Sequence, residues 1–284
     1  MRKRDIYVGV GFLAVLAALG AGSLLLEKKS VVQAAGVMAP SFEVDPMWPK
    51  PMPNHWLMGN TIGVDIDAKE NIWIIHRAGS LEAGEQHLTA KIAQCCQAAP
   101  PILVFDQAGN LVRSWGGKGQ GYDWPDSNHG VTIDFKGNVW IGGNGRGPQS
   151  ARGTVNGEDE NLDTGKKKGS GRVQSFADNM VLKFTQEGKF LMQIGKPNMS
   201  KGSNDTENLR LPAKTFVDAQ TNELYVADGY GNHRVIVYDA ETGKYKRHWG
   251  AYGKVPSDDP LPPYKPTAPP DQQFRNPVHC VVIS

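Results

Sequence analysis

Short apolar runs that alternate with polar residues recur along the chain and predict β-strands rather than helices. The clearest case joins residues 223–227 to residues 234–239 through the turn Asp228-Gly-Tyr-Gly-Asn-His-Arg. A short turn of this composition between two β-branched runs predicts a connection between antiparallel strands. Flanking strands at 215–218 and 245–250 would complete a unit of four strands.

The same four-strand unit occurs twice upstream, with longer loops. The predicted strands are 63–67, 71–77, 101–106 and 111–116 in the first copy, and 130–134, 138–142, 179–184 and 189–195 in the second. Such units are typical of propeller blades, because one small sheet must stack against its neighbours to bury both faces. We therefore predict an all-β propeller with four-stranded antiparallel blades. An immunoglobulin-like sandwich is the alternative, although sandwich strands do not recur as identical four-strand units.

The blades are predicted at about 59–116, 128–195 and 211–250, after an extended lead-in at 37–58. Residues 276–284 read as the start of a fourth blade, so we expect an incomplete propeller with exposed sheet edges. The polar, Gly-rich stretch 143–178 predicts a mobile loop, and the Pro-rich stretch 251–277 predicts an extended surface segment.

The N-terminal segment predicts export. Arg2, Lys3 and Arg4 precede an apolar run from residue 6 to residue 26, and small residues follow before residue 36. The run is long enough to span a bilayer as a hydrophobic helix, and the small residues provide an acceptable cleavage site. We therefore expect residues 1–36 to be a signal peptide or a membrane anchor. The alternative is a buried core helix, which the basic flank and the N-terminal position fit poorly. The remainder is expected in the periplasm or outside the cell.

Charge and cysteine content exclude several classes of protein. A net charge of +2 predicts no nucleic-acid partner. The three cysteines form no haem-attachment signature and no paired zinc ribbon. We expect either a bridge from Cys280 to Cys95 or Cys96, or buried free thiols, because neighbouring cysteines rarely pair.

Residues 211–250, with the turn at 228–234 and the Trp-Gly at 249–250, resemble an NHL repeat, which builds six-bladed propellers. From about residue 59 onward the chain is most similar to the lyase domain of the peptidylglycine α-amidating enzymes. The resemblance implies a zinc-assisted cleavage of peptidyl-α-hydroxyglycine to peptide amide and glyoxylate, and a small-molecule or peptide ligand at the end of the channel.

The resemblance also implies individual site residues. The His-Arg at 76–77 is similar to a lyase strand whose arginine binds substrate, which makes Arg77 that candidate. The segments 128–131 and 274–281 resemble those that carry zinc-ligating histidines, which implies His129 and His279.

The same resemblance assigns a catalytic residue and a second metal. The turn at 228–234 is similar to the lyase turn that carries the catalytic tyrosine, which implies Tyr230. The backbone carbonyls of Val64 and Val131 occupy positions that help to bind a structural calcium ion in the lyase.

Simple physical chemistry makes this set coherent. His129 and His279 each precede the first strand of a blade, and equivalent positions of a propeller converge at one end of its axis. Catalytic zinc uses three protein ligands and an open position, Tyr230 could accept a proton, and Arg77 could steady a carboxylate. The plainer alternatives are histidines that hydrogen-bond at strand entries, an aromatic residue that closes the channel mouth, and a surface arginine.

The chain departs from the lyase pattern in two respects. Gly231 stands where the lyase has a disulfide-bonded cysteine. The third zinc histidine, a second arginine and the calcium carboxylate would fall beyond Ser284, so we expect this chain alone to be inactive. The alternative function is a non-catalytic propeller that binds a protein, peptide or glycan through loops 78–100 and 143–178. A structural surface protein held by the N-terminal helix is a third possibility.

Overall fold

The computed structural model describes residues 15–17, 19–20, 42–147 and 176–283. The chain forms two compact units, Met1–Pro46 and Met47–Ser284. In the first unit, residues 15–17 and 19–20 are helical, and the described residues include no helix that is both long and apolar enough to cross a membrane. Most of the predicted export segment, residues 1–36, lies outside the described residues, so the signal peptide or anchor stays a prediction.

The described residues of the second unit form three antiparallel sheets of four strands, together with one parallel pair of short strands. The strands of the first sheet and of the short pair are β1 (Trp56–Leu57), β2 (Asn60–Ile66), β3 (Ile72–Arg77), β4 (Gln97–Ala98), β5 (Ile102–Phe105) and β6 (Leu111–Trp115). The second sheet comprises β7 (Asn128–Ile133), β8 (Val139–Gly143), β9 (Met180–Phe184) and β10 (Phe190–Gly195). The third comprises β11 (Thr215–Asp218), β12 (Glu223–Asp228), β13 (Arg234–Asp239) and β14 (Tyr245–Trp249). Short 3-10 helices cover Pro53–His55, Ala78–Ser80, Ala83–Glu85 and Ala251–Gly253.

This architecture confirms the predicted fold class. The sheet orders are β2-β3-β5-β6, β7-β8-β9-β10 and β11-β12-β13-β14, so every sheet is a simple meander, as in a propeller blade. The three sheets form an open arrangement, not a closed ring. Residues 276–283, predicted to begin a fourth blade, contain no regular strand and lie against the third sheet through backbone hydrogen bonds. Most of the loop predicted to be mobile, residues 148–175, lies outside the described residues.

Apolar side chains fill the space between successive sheets. One core cluster joins residues of the first sheet, such as Trp73 and Val104, to residues of the second, such as Val131 and Leu182. A further cluster joins the second sheet to the third. Burial of apolar surface stabilises a fold by about 25 cal/mol per Å². Each small sheet is therefore stable only when it packs against its neighbour.

The first strands of the three sheets are also tied together by polar contacts. The backbone amide of Ile133 on β7 donates to the carboxylate of Asp65 on β2 at 2.8 Å. The hydroxyl of Thr132 donates to the backbone carbonyl of Thr215 on β11 at 2.8 Å. These bonds fix β2, β7 and β11 as neighbours, and therefore fix the relative positions of side chains at the ends of those strands.

One repeated turn organises the hairpins of the first two sheets. Asp67 accepts hydrogen bonds from the amide of Asn71 at 3.0 Å and from the indole of Trp73 at 3.0 Å. Asp134 accepts the equivalent bonds from Asn138 and Trp140 at 2.8 and 2.9 Å. The aspartate thus closes the turn and satisfies a buried indole N–H, which would otherwise cost about 1–3 kcal/mol.

The cysteine prediction was wrong. Cys95 and Cys96 form a disulfide with each other, and Cys280 is a free, exposed thiol. The reason is topological, because β4 follows Cys96 directly and pairs with β1 beside the first sheet. The backbone amide of Lys214, next to β11, donates to the carbonyl of His279. This bond places the neighbouring Cys280 beside the third sheet.

Candidate functional site

His129 lies at the start of β7 and is buried, with 8% of its surface exposed. The register of β7 against β8 shifts between His129 and Val131, at Gly130, whose φ of 73° lies in the left-handed region that glycine tolerates. Asn128 anchors the strand because its side-chain amide donates to the backbone carbonyl of His76 at 3.1 Å. The bulge and this anchor together set the direction of the imidazole.

Tyr230 lies in the turn between β12 and β13, and a buried ion pair holds the base of that turn. Asp228 and Arg234 form a fully buried ion pair at 2.8 Å across the base of the hairpin. The guanidinium of Arg234 also donates to the backbone carbonyls of Ser203 and Asn208, each at 2.9 Å. The Arg234 guanidinium therefore joins the turn to the neighbouring loop that contains Ser203 and Asn208.

His279 reaches the same place through the segment beside the third sheet. The amide of Val278 donates to the carbonyl of Gly229 at 3.3 Å, and the amide of Lys214 donates to the carbonyl of His279 at 3.3 Å. The approach is close, since a Cβ atom on Gly229 would lie only 2.2 Å from the Val278 nitrogen. Glycine at this position therefore lets the segment dock directly against the turn that carries Tyr230.

These three elements bring His129, Tyr230 and His279 together. The ring centroid of His129 lies 5.2 Å from that of Tyr230 and 5.0 Å from that of His279, and the Tyr230 and His279 rings are 5.5 Å apart. The Nε2 atom of His129 is 3.1 Å from the phenolic oxygen of Tyr230. The structure thus places three of the residues implied by the sequence in one cluster.

Burial and nearby positive charge control the protonation of this cluster. The pKa of His129 is lowered to about 4, mainly by burial and in addition by the positive charges of His279 and Arg77. His129 is therefore neutral near pH 7, which is the state in which an imidazole can bind a metal ion. Its Nδ1 atom is buried and has no hydrogen-bond partner.

Arg77 ends β3 and lies next to the His129 strand. Its Nε atom donates to the backbone carbonyl of Asn128 at 3.3 Å, and its Nη2 atom donates to the side-chain oxygen of Asn144 at 2.7 Å. These bonds place the guanidinium beside the residue that precedes His129. A positive charge at this distance is also the physical reason for its effect on the pKa of His129.

The cluster fits part of a zinc site. The two imidazoles are in edge-to-face contact, and the unpartnered Nδ1 atom of His129 is a suitable metal ligand. In the part of the chain that the structure describes, no group of three His, Cys, Asp or Glu side chains is placed to hold a metal ion. The described residues therefore offer two nitrogen ligands and a phenol, and no third histidine or carboxylate.

The two valines predicted to bind calcium lie on adjacent first strands. Val64 is on β2 and half exposed, whereas Val131 is on β7 and buried. The two backbones are in contact here, because a Cβ atom on Gly63 would lie 3.0 Å from the Val131 nitrogen. The calcium site at Val64 and Val131 stays a prediction.

Sequence reasoning missed several residues that support the site. His76 was given no role, yet it is fully buried: its Nδ1 atom accepts from the amide of Gly59 at 3.1 Å, and its Nε2 atom lies 2.9 Å from the carbonyl of Pro100. Asn144 and Asp178 flank the long loop and were also missed. Their only sequence signal is position, next to the ends of β8 and β9, because their partners lie far away in the chain. His233, predicted to be structural, has its Nδ1 atom 2.7 Å from the carbonyl of Phe274.

Comparison with known proteins agrees with the repeat predicted from the sequence. Residues 209–238 match the family model for the NHL repeat. The chain is 26% identical over 201 residues to the peptidylglycine α-amidating monooxygenase of Rattus norvegicus, an alignment that covers 68% of this chain and 16% of the relative. It is also 26% identical over 211 residues to the corresponding protein of Mus musculus, covering 72% of this chain and 18% of the relative. The chain thus spans less than a fifth of the length of these relatives.

Solved structures of low sequence identity are also similar to parts of the chain. Virginiamycin B lyase from Staphylococcus aureus aligns with a TM-score of 0.34 at 14% identity, covering 69% of this chain and 44% of that one. A protein of unknown function from Bacteroides caccae aligns with a TM-score of 0.34 at 11% identity, covering 66% and 48%. The chain therefore contains an NHL repeat in its third four-stranded sheet and is similar in sequence to the peptidylglycine α-amidating monooxygenases.

Proposed function

We propose that this chain supplies part of a zinc-assisted lyase site that cleaves the C–N bond of a peptidyl-α-hydroxyglycine. The observation that carries the proposal is the convergence of His129, Tyr230 and His279, whose ring centroids are 5.0 to 5.5 Å apart. Sequence similarity to amidating enzymes supports the same substrate class. The third zinc ligand is expected from outside the described residues.

The hydrogen bond between His129 and Tyr230 suggests how the roles divide. In the tautomer with a proton on Nε2, His129 donates to the phenolic oxygen of Tyr230, and the lone pair of its buried Nδ1 atom is available to a metal ion. His279 provides the second imidazole. A zinc ion held there would lower the pKa of the substrate hydroxyl.

Tyr230 and Arg77 act on the substrate in this scheme. The phenolate of Tyr230, stabilised by the His129 N–H, accepts the proton of the substrate hydroxyl. The hydroxyl oxygen becomes the aldehyde oxygen of glyoxylate as the C–N bond breaks, and the amide nitrogen takes up the proton that Tyr230 accepted, so the peptide amide leaves neutral. Arg77 holds the carboxylate through its guanidinium, which suits a planar anion.

Glyoxylate release tests this proposal. The zinc-loaded protein, in a form that also supplies the third zinc ligand, is mixed with N-benzoyl-α-hydroxyglycine, and the Tyr230→Phe variant is compared with Tyr252→Phe, which changes an exposed tyrosine. We expect Tyr230→Phe to lose about 100-fold or more in turnover with unchanged zinc content, and Tyr252→Phe to match the wild type. Equal turnover by Tyr230→Phe and the wild type would exclude Tyr230 as the base. If the zinc-loaded wild type releases no glyoxylate, the alternative of a non-catalytic binding propeller is favoured.

We also propose that the protein is exported, with calcium bound near Val64 and Val131 and with loop contacts to a peptide or protein partner. Export is supported by the N-terminal sequence, in which basic residues precede an apolar run and small residues follow it. Membrane attachment would follow if the N-terminal segment is not cleaved.

A further inference from the structure

A hydrogen-bond network joins Arg77 to residues next to the strands of the second sheet. Asn144, which follows β8, accepts from the Arg77 guanidinium at 2.7 Å through its side-chain oxygen. The same oxygen accepts from the hydroxyl of Ser127 at 3.0 Å. The backbone amide of Asn144 donates to the carbonyl of Ser127 at 2.9 Å, so Asn144 is held by both backbone and side chain.

Asp178 fixes both ends of this network. Its side chain is fully buried and accepts the backbone amides of Asp126 at 2.9 Å, Ser127 at 3.0 Å and Gly145 at 2.7 Å. Three amide donors directed at one carboxylate tie the segment before β7 to the segment after β8. Residues that flank both Ser127 and Asn144 are therefore anchored to a single group.

Two glycines make room for that carboxylate. A Cβ atom on Gly143 would lie 2.6 Å from the Asp178 Oδ2 atom, and a Cβ atom on Gly145 would lie 2.7 Å from it. Neither position has space for a side chain while Asp178 keeps its place. The chain on both sides of Asn144 is thus shaped to receive the Asp178 side chain.

We propose that Asn144, held by Ser127 and anchored through Asp178, is a positioning residue that fixes the Arg77 guanidinium beside His129 for binding a ligand carboxylate. This inference rests on the proposed function, because it assigns Arg77 the carboxylate of that substrate class. Asn144 acts through Arg77 and needs no contact with the substrate. Replacement of Asn144 should therefore weaken the binding of the ligand carboxylate and leave the metal ligands unaffected.

The test compares Asn144→Ala, Asn144→Asp and the control Asn110→Ala in the full chain. Asn110 is a suitable control because its side chain bonds to Asp106 in the hairpin between β5 and β6. The first measurement follows solvent exchange of the Arg77 Nη2 hydrogens, which donate to Asn144, by ¹⁵N NMR and needs no substrate. We expect slow exchange in the wild type and Asn110→Ala, fast exchange in Asn144→Ala, and slow exchange restored in Asn144→Asp, whose carboxylate can accept the same bonds.

The second measurement is the affinity for N-benzoylglycine, an unreactive carboxylate probe, with zinc content measured in parallel. We expect Asn144→Ala to weaken binding about tenfold or more at unchanged zinc content, because the guanidinium that contacts the carboxylate is no longer held in place. The inference would be overturned if hydrogen exchange at Arg77 were the same in Asn144→Ala as in the wild type. It would also be overturned if that exchange became fast while the affinity for N-benzoylglycine stayed the same. If the wild type binds the probe, Asn144→Ala weakens that binding and no glyoxylate is released from the hydroxylated substrate, the proposed reaction fails while the positioning role stands.

Discussion

The Nε2 atom of His129 lies 3.1 Å from the phenolic oxygen of Tyr230, although 101 residues separate them in the chain. The contact joins the first strand of the second sheet to a turn of the third, so it forms only when the sheets stack correctly. The neighbouring ring of His279 completes the cluster from a further segment. The candidate site is thus a product of sheet packing and not of any local motif.

Stability of the metal-free protein should depend on pH through His129. Its pKa is lowered from 6.5 to about 4 in the folded state, so between these values the unfolded chain binds a proton that the folded chain does not. The free energy of unfolding should therefore fall as pH drops from about 6.5 towards 4, by about 3 kcal/mol from this residue at most.

Urea unfolding at several pH values, with a chelator present, measures this effect. The variant His129→Gln should show a flatter pH dependence over the same range. Some dependence should remain, because burial also lowers the pKa of His76. An identical pH dependence in the wild type and in His129→Gln would contradict the burial of an uncharged imidazole at this position.

Gly229→Ala should detach the segment that carries His279. The added methyl group would lie 2.2 Å from the Val278 nitrogen, so the segment or the turn must move. We expect a loss of about 1–3 kcal/mol in unfolding free energy and weaker zinc binding. Gly84→Ala is the control because nothing lies within 4 Å of its new Cβ atom. Zinc affinity equal to the wild type in Gly229→Ala would show that this docking does not place His279.

The ion pair of Asp228 and Arg234 should be essential to the third sheet. Both side chains are fully buried, so Asp228→Ala leaves an uncompensated guanidinium in the protein interior. We expect a loss of about 3–5 kcal/mol in chemical unfolding. Lys136→Ala breaks an ion pair with Glu241 whose side chains are 40% and 64% exposed and should have little effect. Similar losses in the two variants would refute the structural role of the buried pair.

Asp134→Ala should destabilise the second sheet more than Asp106→Ala destabilises the first. Both aspartates close hairpin turns, but only Asp134 also accepts a hydrogen bond from a buried tryptophan, Trp140. Loss of that acceptor should cost about 1–3 kcal/mol in addition to the turn itself. Thermal unfolding of the two variants provides the comparison, and equal shifts would mean that the indole bond contributes nothing measurable.

The strands could be predicted from the sequence because alternation of apolar and polar residues is a local signal. The short apolar run at 224–227 is a further local signal, and it forms the buried strand β12, which pairs with β11 and β13. The cluster of His129, Tyr230 and His279 could be anticipated only because the chain resembles a family in which matching positions converge.

The supporting residues could not be predicted, because their partners are distant in sequence. Asp178 accepts from Asp126 and Ser127 across more than 50 residues, and nothing near Asp178 marks that contact. The Cys95–Cys96 bridge was missed for a related reason. General cysteine geometry disfavours neighbouring pairs, and the sequence does not reveal that Cys280 lies beside another sheet.

The most direct test of the central claim is zinc binding by the purified protein and three histidine variants. Measured by metal analysis and competition with a chromophoric chelator, the wild type should bind equimolar zinc. His129→Ala and His279→Ala should each weaken binding about 100-fold or more, whereas His233→Ala, which removes a nearby structural imidazole, should not. A wild type that binds no zinc, or a His129→Ala variant that binds it as tightly as the wild type, would contradict a metal site at this cluster.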